Sequence, residues 1–509
     1  MSTNPSGNRL IAKNATMLYL RMFFTMAISL YTSRVVLKVL GVSDYGVYNL
    51  VGGITVLINV VVGALGSSTS RFLTYVLGKD DVDDLQDTFS TAAMVHIGLA
   101  FIFVLLAETV GLWFVNTQLV IPAGRMGAAN WVFQASIVTI AIGIIQVPYN
   151  ASITSHEHMS TFAYISVANS IAKLGIVLLL LILPGDHLIL YSLFLVTLSI
   201  LFQMYYRFYC LRHFAECHIS RRFNNQLFRE MLSFSSWSML ESVSLTIRRQ
   251  GINIFLNRFF GTLLNAAAGV ASLVQGILYA FTNNVSVAFR PQIIKSYAAA
   301  DYNRVNELIG LGTRFTSIIT TLTTIPFIFN MDYIMSLWLE EVPKGAVIIC
   351  QICLFSNLFN SFNPFVGGAV IASGKIKHVN VILAIQNILV LLATYVVLKV
   401  TNSYAMGYGI ALFVGPTSTM IYALQLKRLM PQFSVMFFIM KIYLPVISIF
   451  FMSLGLAACL NSYITQPLLA LVSVVMICTL FVLICAYYFI FNKYMREQVK
   501  TIIKSMIKR

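Results

Sequence analysis

Residues 298–309 read AAADYNRVNELI, a short polar turn with Asp301 at the start of a helix. A carboxylate there suits the positive end of the helix dipole. Residues 78–89, GKDDVDDLQDTF, have the same design. Further landmarks keep the interval. Arg71 and Arg290, Asp81 and Asp301, Pro148 and Pro364, and Asn169 and Asn387 are each separated by about 218 residues, the mark of an internal repeat. That displacement covers about six apolar runs of membrane-spanning length. Six is even, so the second half keeps the orientation of the first. Such parallel repeats are related by an axis along the membrane normal, and a binding site is expected between the halves near mid-membrane.

Composition places the repeat in a bilayer. The chain has 509 residues, 58% hydrophobic and 10% charged, with a mean hydropathy of +0.81. A soluble domain carries about 25% charged residues. An all-α polytopic membrane protein is therefore expected, with about 14 transmembrane helices of roughly 20 residues. The first six run near 11–38, 46–76, 87–115, 127–152, 160–183 and 188–211. The next six run near 228–257, 264–289, 304–330, 345–373, 378–399 and 403–426, and the last two near 434–460 and 466–492. The expected parts are an N-terminal six-helix half (1–212), a cytoplasmic linker (213–227), a C-terminal six-helix half (228–428), and two further helices with a basic tail (429–509). The first apolar run follows MSTNPSGNRLIAKNA and reads as a retained span rather than a cleaved signal.

The net charge of +16 follows topology, not nucleic acid. Basic residues crowd alternate loops, among them Arg71 and Lys79, Arg207 to Arg229, Arg290 to Arg304, Lys375 and Lys377, Lys427 and Arg428, and the tail from Lys493. The intervening loops hold isolated charges such as Arg125 and Arg258. By the positive-inside rule both ends lie in the cytoplasm. Seven cysteines are scattered along the chain. The pair Cys350 and Cys353 forms a CxxC, but inside an expected span, where it reads as helix packing. No Walker loop, HExxH or nucleophile elbow occurs, so the pattern is that of a secondary transporter without cofactor, metal or catalytic residues.

Charges inside the spans are the candidates for function, because they are costly at membrane depth. Arg248 and Arg249, in SLTIRRQGIN, lie about 14 Å in from the outer end of the seventh span and point about 100° apart. Glu241, two turns earlier, is the candidate for ion coupling or a charge partner. Lys173 ends a Ser166, Asn169, Lys173 stripe, and Arg314 begins a stripe with Ser317, Thr321 and Thr324. Arg21 and Arg34 lie in the first span, near enough to its ends to snorkel. Asn357, Asn360 and Asn363 form a row that ends at a kink expected at Pro364. Asn169, Asn357, Asn360 and Asn387 are candidate ligand contacts, although such residues also bond helix to helix. Six cations stand against Glu108 and Glu241 as the clearest acids. The surplus calls for an anion, and arginine's planar fork suits phosphate.

Two six-helix halves plus two spans, with LGVSDYGVYNLVGGI after the first span and FRPQIIKSYAAADYNRV after the eighth, resemble the bacterial polysaccharide transporters. These belong to the multidrug/oligosaccharidyl-lipid/polysaccharide exporter superfamily, and the likeness is to its O-antigen and capsule repeat-unit flippases. The resemblance covers essentially the whole chain. It implies an inner-membrane protein that moves polyprenyl-diphosphate-linked oligosaccharide from the cytoplasmic to the periplasmic leaflet by alternating access. It also implies membrane lipids, H+ or Na+, and polysaccharide polymerase machinery as partners. In related flippases cations of spans 1 and 7 line the cavity, matching Arg21, Arg248 and Arg249 by span and character, and the resemblance makes Asn169, Asn357, Asn360 and Asn387 the expected sugar contacts. The alternatives are a multidrug or cation exporter, whose cavity should be acidic or aromatic, a flippase for the peptidoglycan lipid precursor, and a scaffold for polymerases without transport.

Overall fold

A computed structural model describes residues 5–53, 56–79, 82–117, 121, 124–220, 223–339, 342–490 and 496. The expectations at Asp81, Arg221 and Arg222 lie outside these, as do those on the basic tail after residue 490, Arg496 excepted. The described residues form helices and no strand. The chain divides into two compact units, Met1–Ser242 with Tyr297–Ala299, and Val243–Ser296 with Ala300–Arg509.

The first unit holds α1 (Pro5–Gly53), α2 (Val56–Leu77), α3 (Val82–Leu106), α4 (Leu112–Thr117), α5 (Met126–Ser155), α6 (Met159–Leu180) and α7 (His187–His213). α8 (Asn225–Phe260) begins in it and ends in the second unit, which also takes most of α9 (Thr262–Ala298). The second unit continues with α10 (Tyr302–Phe329), α11 (Met331–Trp338), α12 (Ala346–Asn360), α13 (Asn363–Ser373) and α14 (Lys377–Thr401). It closes with α15 (Tyr404–Gly409), α16 (Val414–Leu429), α17 (Val435–Phe438), α18 (Leu444–Tyr463) and α19 (Pro467–Cys485).

Among the described residues ten helices are long and apolar enough to cross a membrane, or eleven if a bent pair counts as one span. The expected fourteen is not reached by that measure. α2, α8 and α9 stand where the second, seventh and eighth spans were expected, with 22, 36 and 37 residues. At 1.5 Å per residue even the shortest is about 33 Å long, enough for a hydrocarbon core. The bent pair is α12 and α13, which meet at 46°. The break falls at Ser361 and Phe362, just before Asn363–Pro364, because Pro364 has no N–H to bond the Asn360 carbonyl and its ring crowds that turn.

In the first unit α5 is central, packing on α7, α3 and α2, while α1 packs on α6. Ala128, Ala129 and Ala135 on α5 are buried; in lipid such small side chains favour association by letting backbones approach. α1 is kinked at Gly41, whose φ of 74° is the left-handed region open to glycine. In the second unit α10 packs on α18, α19 and α12, and α13 packs on α16. Asp301 caps α10, accepting from the Arg304 amide at 3.0 Å, as the opening turn requires. Gly415 of α16 sits against the end of α12, where an added Cβ would lie 2.6 Å from Phe359 Cβ and 2.8 Å from its carbonyl carbon.

Arg125, an isolated charge in the sequence reading, ties three segments of the first unit. It donates to Asp44 through Nε at 2.9 Å and through Nη2, and to Asp186 through Nη1 at 2.6 Å. Asp186 also caps α7, accepting from the Leu188 amide at 3.0 Å. The hydrogen bond from Arg125 holds the Asp186 carboxyl below the usual carboxylate range, and desolvation opposes it. The folded state then binds fewer protons than the unfolded one near the aspartate range. The stabilisation is complete above the unfolded value of about 3.9 and is lost as pH falls through the lower folded value.

Two measurements follow. Unfolding of Arg125→Ala in detergent should show a loss of about 1 kcal/mol at neutral pH, reflecting a partly exposed pair network. The gap from wild type should narrow as the pH is taken below the ordinary aspartate range, and a constant gap would show that Asp186 carries none of it. Gly415→Val should cost about 1–3 kcal/mol by overpacking, read as a lower midpoint in the same assay.

Candidate functional site

The candidate cations fall into two sets, one in each unit. In the first unit α1 carries Arg21 and Arg34, and α6, packed on it, carries Asn169 and Lys173. Arg21 is half-buried, with its guanidinium carbon 4.8 Å from the centroid of the Phe162 ring on α6. That is cation–π range, in which an aromatic face replaces part of the lost hydration. Arg34 and Lys173 are exposed on their helices. Asn169 is half-buried, and its Oδ1 is enclosed with no hydrogen-bond partner. Ser166, the first member of that stripe, bonds back to the Phe162 carbonyl at 2.7 Å. Glu241 is half-buried on the part of α8 that belongs to this unit.

In the second unit the two adjacent arginines occupy different faces of α8. Ser244, Gly251, Phe255 and Phe259 meet α14, and Arg248 lies on that same seam by helical spacing. Arg249 is turned about 100° from it. It stands on the side of Ile252, Leu256 and Phe260, which join the core of this unit, and within electrostatic range of Cys353 on α12. Arg248 is half-buried and Arg249 exposed. The pair is therefore not one fork with two tines.

Arg314 on α10 is half-buried, and its Nη2 donates to the Lys441 carbonyl at 3.4 Å. The hydroxyls expected to extend its stripe are turned into protein. Ser317, Thr321 and Thr324 are fully or almost fully buried, with Thr321 bonded to the Ser317 carbonyl at 2.8 Å and Ser317 Oγ 3.2 Å from Ser361 Oγ.

The asparagines are mostly engaged between or within helices. Asn360 donates to the Ser356 carbonyl at 2.8 Å, and Asn363 accepts from Thr419 of α16 at 2.6 Å. Asn387 of α14 donates to Ser244 Oγ of α8 at 2.9 Å, and each of these two residues is 5% exposed. Beside it Gln386 donates to Thr417 Oγ1 at 2.6 Å and accepts from Ser418 at 3.1 Å. Asn357 is 3% exposed, and its Nδ2 has no hydrogen-bond partner.

Sequence reasoning misplaced Arg71 as a loop charge. It lies inside α2, 8% exposed, with its guanidinium carbon 4.6 Å from the Phe72 ring centroid, 4.7 Å from Tyr75 and 5.7 Å from Phe234. Arg290, its counterpart in the expected repeat, lies inside α9 and is half-buried. The signal was present in the aromatic neighbours of RFLTY, but the third ring comes from α8, far along the chain. A second cluster, also missed, lies where the end of α5 meets the turn after α7. There His156 Nε2 lies 2.6 Å from Glu216 Oε1, and the His156 ring stacks on Phe214 at 4.3 Å. Among the described residues no group of three or more His, Cys, Asp or Glu side chains could hold a metal.

No family model matches the chain, and no curated protein does. Solved structures do. A MATE transporter crystallised in complex with MaD3S aligns with a TM-score of 0.73 at 11% identity, covering 85% of this chain and all of that one. The chain has a MATE-like fold. An outward-facing multidrug resistance MATE transporter of the MOP superfamily aligns at a TM-score of 0.68 and 10% identity, over 85% of this chain and 100% of its own. A MOP superfamily transporter from Pyrococcus furiosus aligns at 0.68 and 10% identity, over 84% and 99%. For that protein the reverse polarity of the binding pocket suggests a different function. The MATE-like architecture and the apolar helices together describe a multi-pass membrane protein.

Exposure on a helix is compatible with water or with lipid, and single cysteines separate the two. Cysteines replacing Arg34, Lys173 and Arg249 should react with a membrane-impermeant thiol reagent at least about tenfold faster than one replacing the buried Asn357, since thiolate attack requires water and access. Equal, slow labelling at all four would place the three cations against lipid.

Proposed function

We propose that this protein is an inner-membrane flippase for polyprenyl-diphosphate-linked oligosaccharide repeat units of an O-antigen, capsule or exopolysaccharide. The observation that carries the proposal is the surplus of cations on otherwise apolar helices: Arg21, Arg34, Lys173, Arg248, Arg249 and Arg314. A protein that binds cationic drugs needs the opposite polarity. The Pyrococcus furiosus neighbour supports the idea that the fold accommodates reversed pocket polarity with a change of function. In this reading the arginines receive the diphosphate, for which a planar set of donors is well shaped. The polyprenol stays in lipid, and Asn169, whose amide oxygen is among those without a hydrogen-bond partner, meets sugar hydroxyls.

Outward movement of uncompensated negative charge is favoured by about 2.3 kcal/mol per charge per 100 mV when the cytoplasm is negative. The membrane potential then assists the movement, and H+ or Na+ coupling through Glu241 is an equal route. Both termini are cytoplasmic, and polysaccharide polymerase machinery is the expected neighbour in the membrane. The six-helix halves at 1–212 and 228–428, the linker at 213–227 and the appended 429–509 segment belong to the same proposal. A multidrug exporter of the same superfamily is the second reading, favoured by the multidrug resistance transporter among the structural neighbours.

Deletion of the gene in its native host should raise lipid-linked oligosaccharide in the cytoplasmic leaflet and lower surface polysaccharide, both measured by mass spectrometry and glycan staining. Wild type should reverse both, and Arg248→Ala/Arg249→Ala at equal membrane abundance should reverse neither. Unchanged glycan pools with new sensitivity to toxic cations would replace the flippase reading with the exporter.

A further inference from the structure

The seam between α8 and α14 supplies a role for a residue that sequence reasoning had assigned to sugar. Asn387 bonds Ser244, Leu391 meets Gly251, and Tyr395 meets Phe255 and Phe259 with ring centroids 5.1 and 5.9 Å apart. Partners advance in the same direction along both helices, so α8 and α14 run parallel in the second unit. At Gly251 the approach is close. An added Cβ would lie 2.7 Å from Leu391 Cδ1, so the backbone of α8 comes directly onto that side chain.

A polar bond, from Asn387 to Ser244, joins the two helices on this seam one helical turn before Arg248. Two contacts oppose turning α8 by one residue: a side chain in place of Gly251 would meet Leu391, and Ser244 Oγ would leave the Asn387 amide. Gln386, adjacent to Asn387, fixes α14 in turn through the Val414 carbonyl and Thr417 of α16. Thr419 carries the chain of bonds on to Asn363 of α13. Four helices thus share one polar belt in this unit.

We propose that Asn387 is a positioning residue: through Ser244 it sets the rotation of α8, so that Arg248 stays on the α14 seam and Arg249 is presented away from it. The assignment of Arg249 to substrate anion rests on the flippase reading, whereas the rotational role of Asn387 does not. A specific division of labour follows. Arg249 offers the outward charge, and Arg248 is held at the seam.

The test is a cysteine scan of positions 245–252 in the full chain in membranes, with the exposed Cys459 replaced by Ser, using a small water-soluble thiol reagent. With Asn387 intact, labelling should peak at positions 249 and 250 and dip at 248 and 251. In Asn387→Leu the preference for 249 over 248 should fall about fivefold, the equilibrium weight of one buried hydrogen bond. Ser244→Ala removes the acceptor with less change in bulk and should do the same. The exchange Ser244→Asn/Asn387→Ser places the same two groups across the seam and should restore the pattern. An unchanged pattern in both Asn387→Leu and Ser244→Ala overturns the proposal, as does failure of the exchanged pair while it folds normally.

Measuring lipid-linked oligosaccharide in the same strains keeps the two ideas apart. A shifted labelling pattern without accumulation of the intermediate upholds the positioning role and removes the flippase reading. Accumulation with an unshifted pattern makes Asn387 a direct contact and removes the positioning role.

Discussion

A polar group enclosed by apolar surroundings must find its partners inside the protein, because no water is there to supply them. Each such group costs several kcal/mol if left unpaired. The second unit shows how far that constraint reaches. Ser244, Asn387, Gln386, Thr417, Thr419, Asn363 and Asn360 bond one to another or to nearby carbonyls across five helices. A hydrophobic driving force between helices is weak in lipid, so these bonds and close backbone approaches fix which helix faces which. Gly415 against Phe359 and Gly251 against Leu391 are the steric half of the same arrangement.

The first unit solves the same problem with charges and rings. Arg71 is nearly buried and lies among three aromatic rings, whose negative faces stand in for water. Arg125 gathers Asp44 and Asp186 at a junction of three segments, where part-exposure lowers the desolvation cost. The cations of α1 and α6 remain less tied, with Arg34 and Lys173 exposed. That contrast separates charges spent on architecture from those open to another molecule. A count of arginines in the sequence treats both kinds alike.

The helical class, the membrane setting and the positions of most helices were legible because they depend on local composition and on runs of apolar residues. The break before Pro364 was legible for the same reason, since it arises from the missing N–H and the ring of proline within one helical turn. The Asn row was legible as a polar stripe, but its direction was not. Asn360 and Asn363 turn to Ser356 and Thr419, and Asn387 reaches Ser244, 143 positions away. Periodicity gives the face of one helix and says nothing of what stands opposite. Arg71 was misread for that reason as one of the crowded loop charges, and the partners of Arg125 stayed hidden until the fold brought them beside it.

By itself, then, the sequence determined an all-α, multi-pass membrane protein with a surplus of cations on its apolar runs, because length, hydropathy and charge are additive along a chain. Tertiary structure decided which polar side chains are consumed by neighbouring helices and which remain presented. It split Arg248 from Arg249, placing one on the α14 seam and the other away from it. The physical reason is that a side chain's role depends on its surroundings in three dimensions, and a rotation of one helix by 100° per residue sends adjacent residues into different ones.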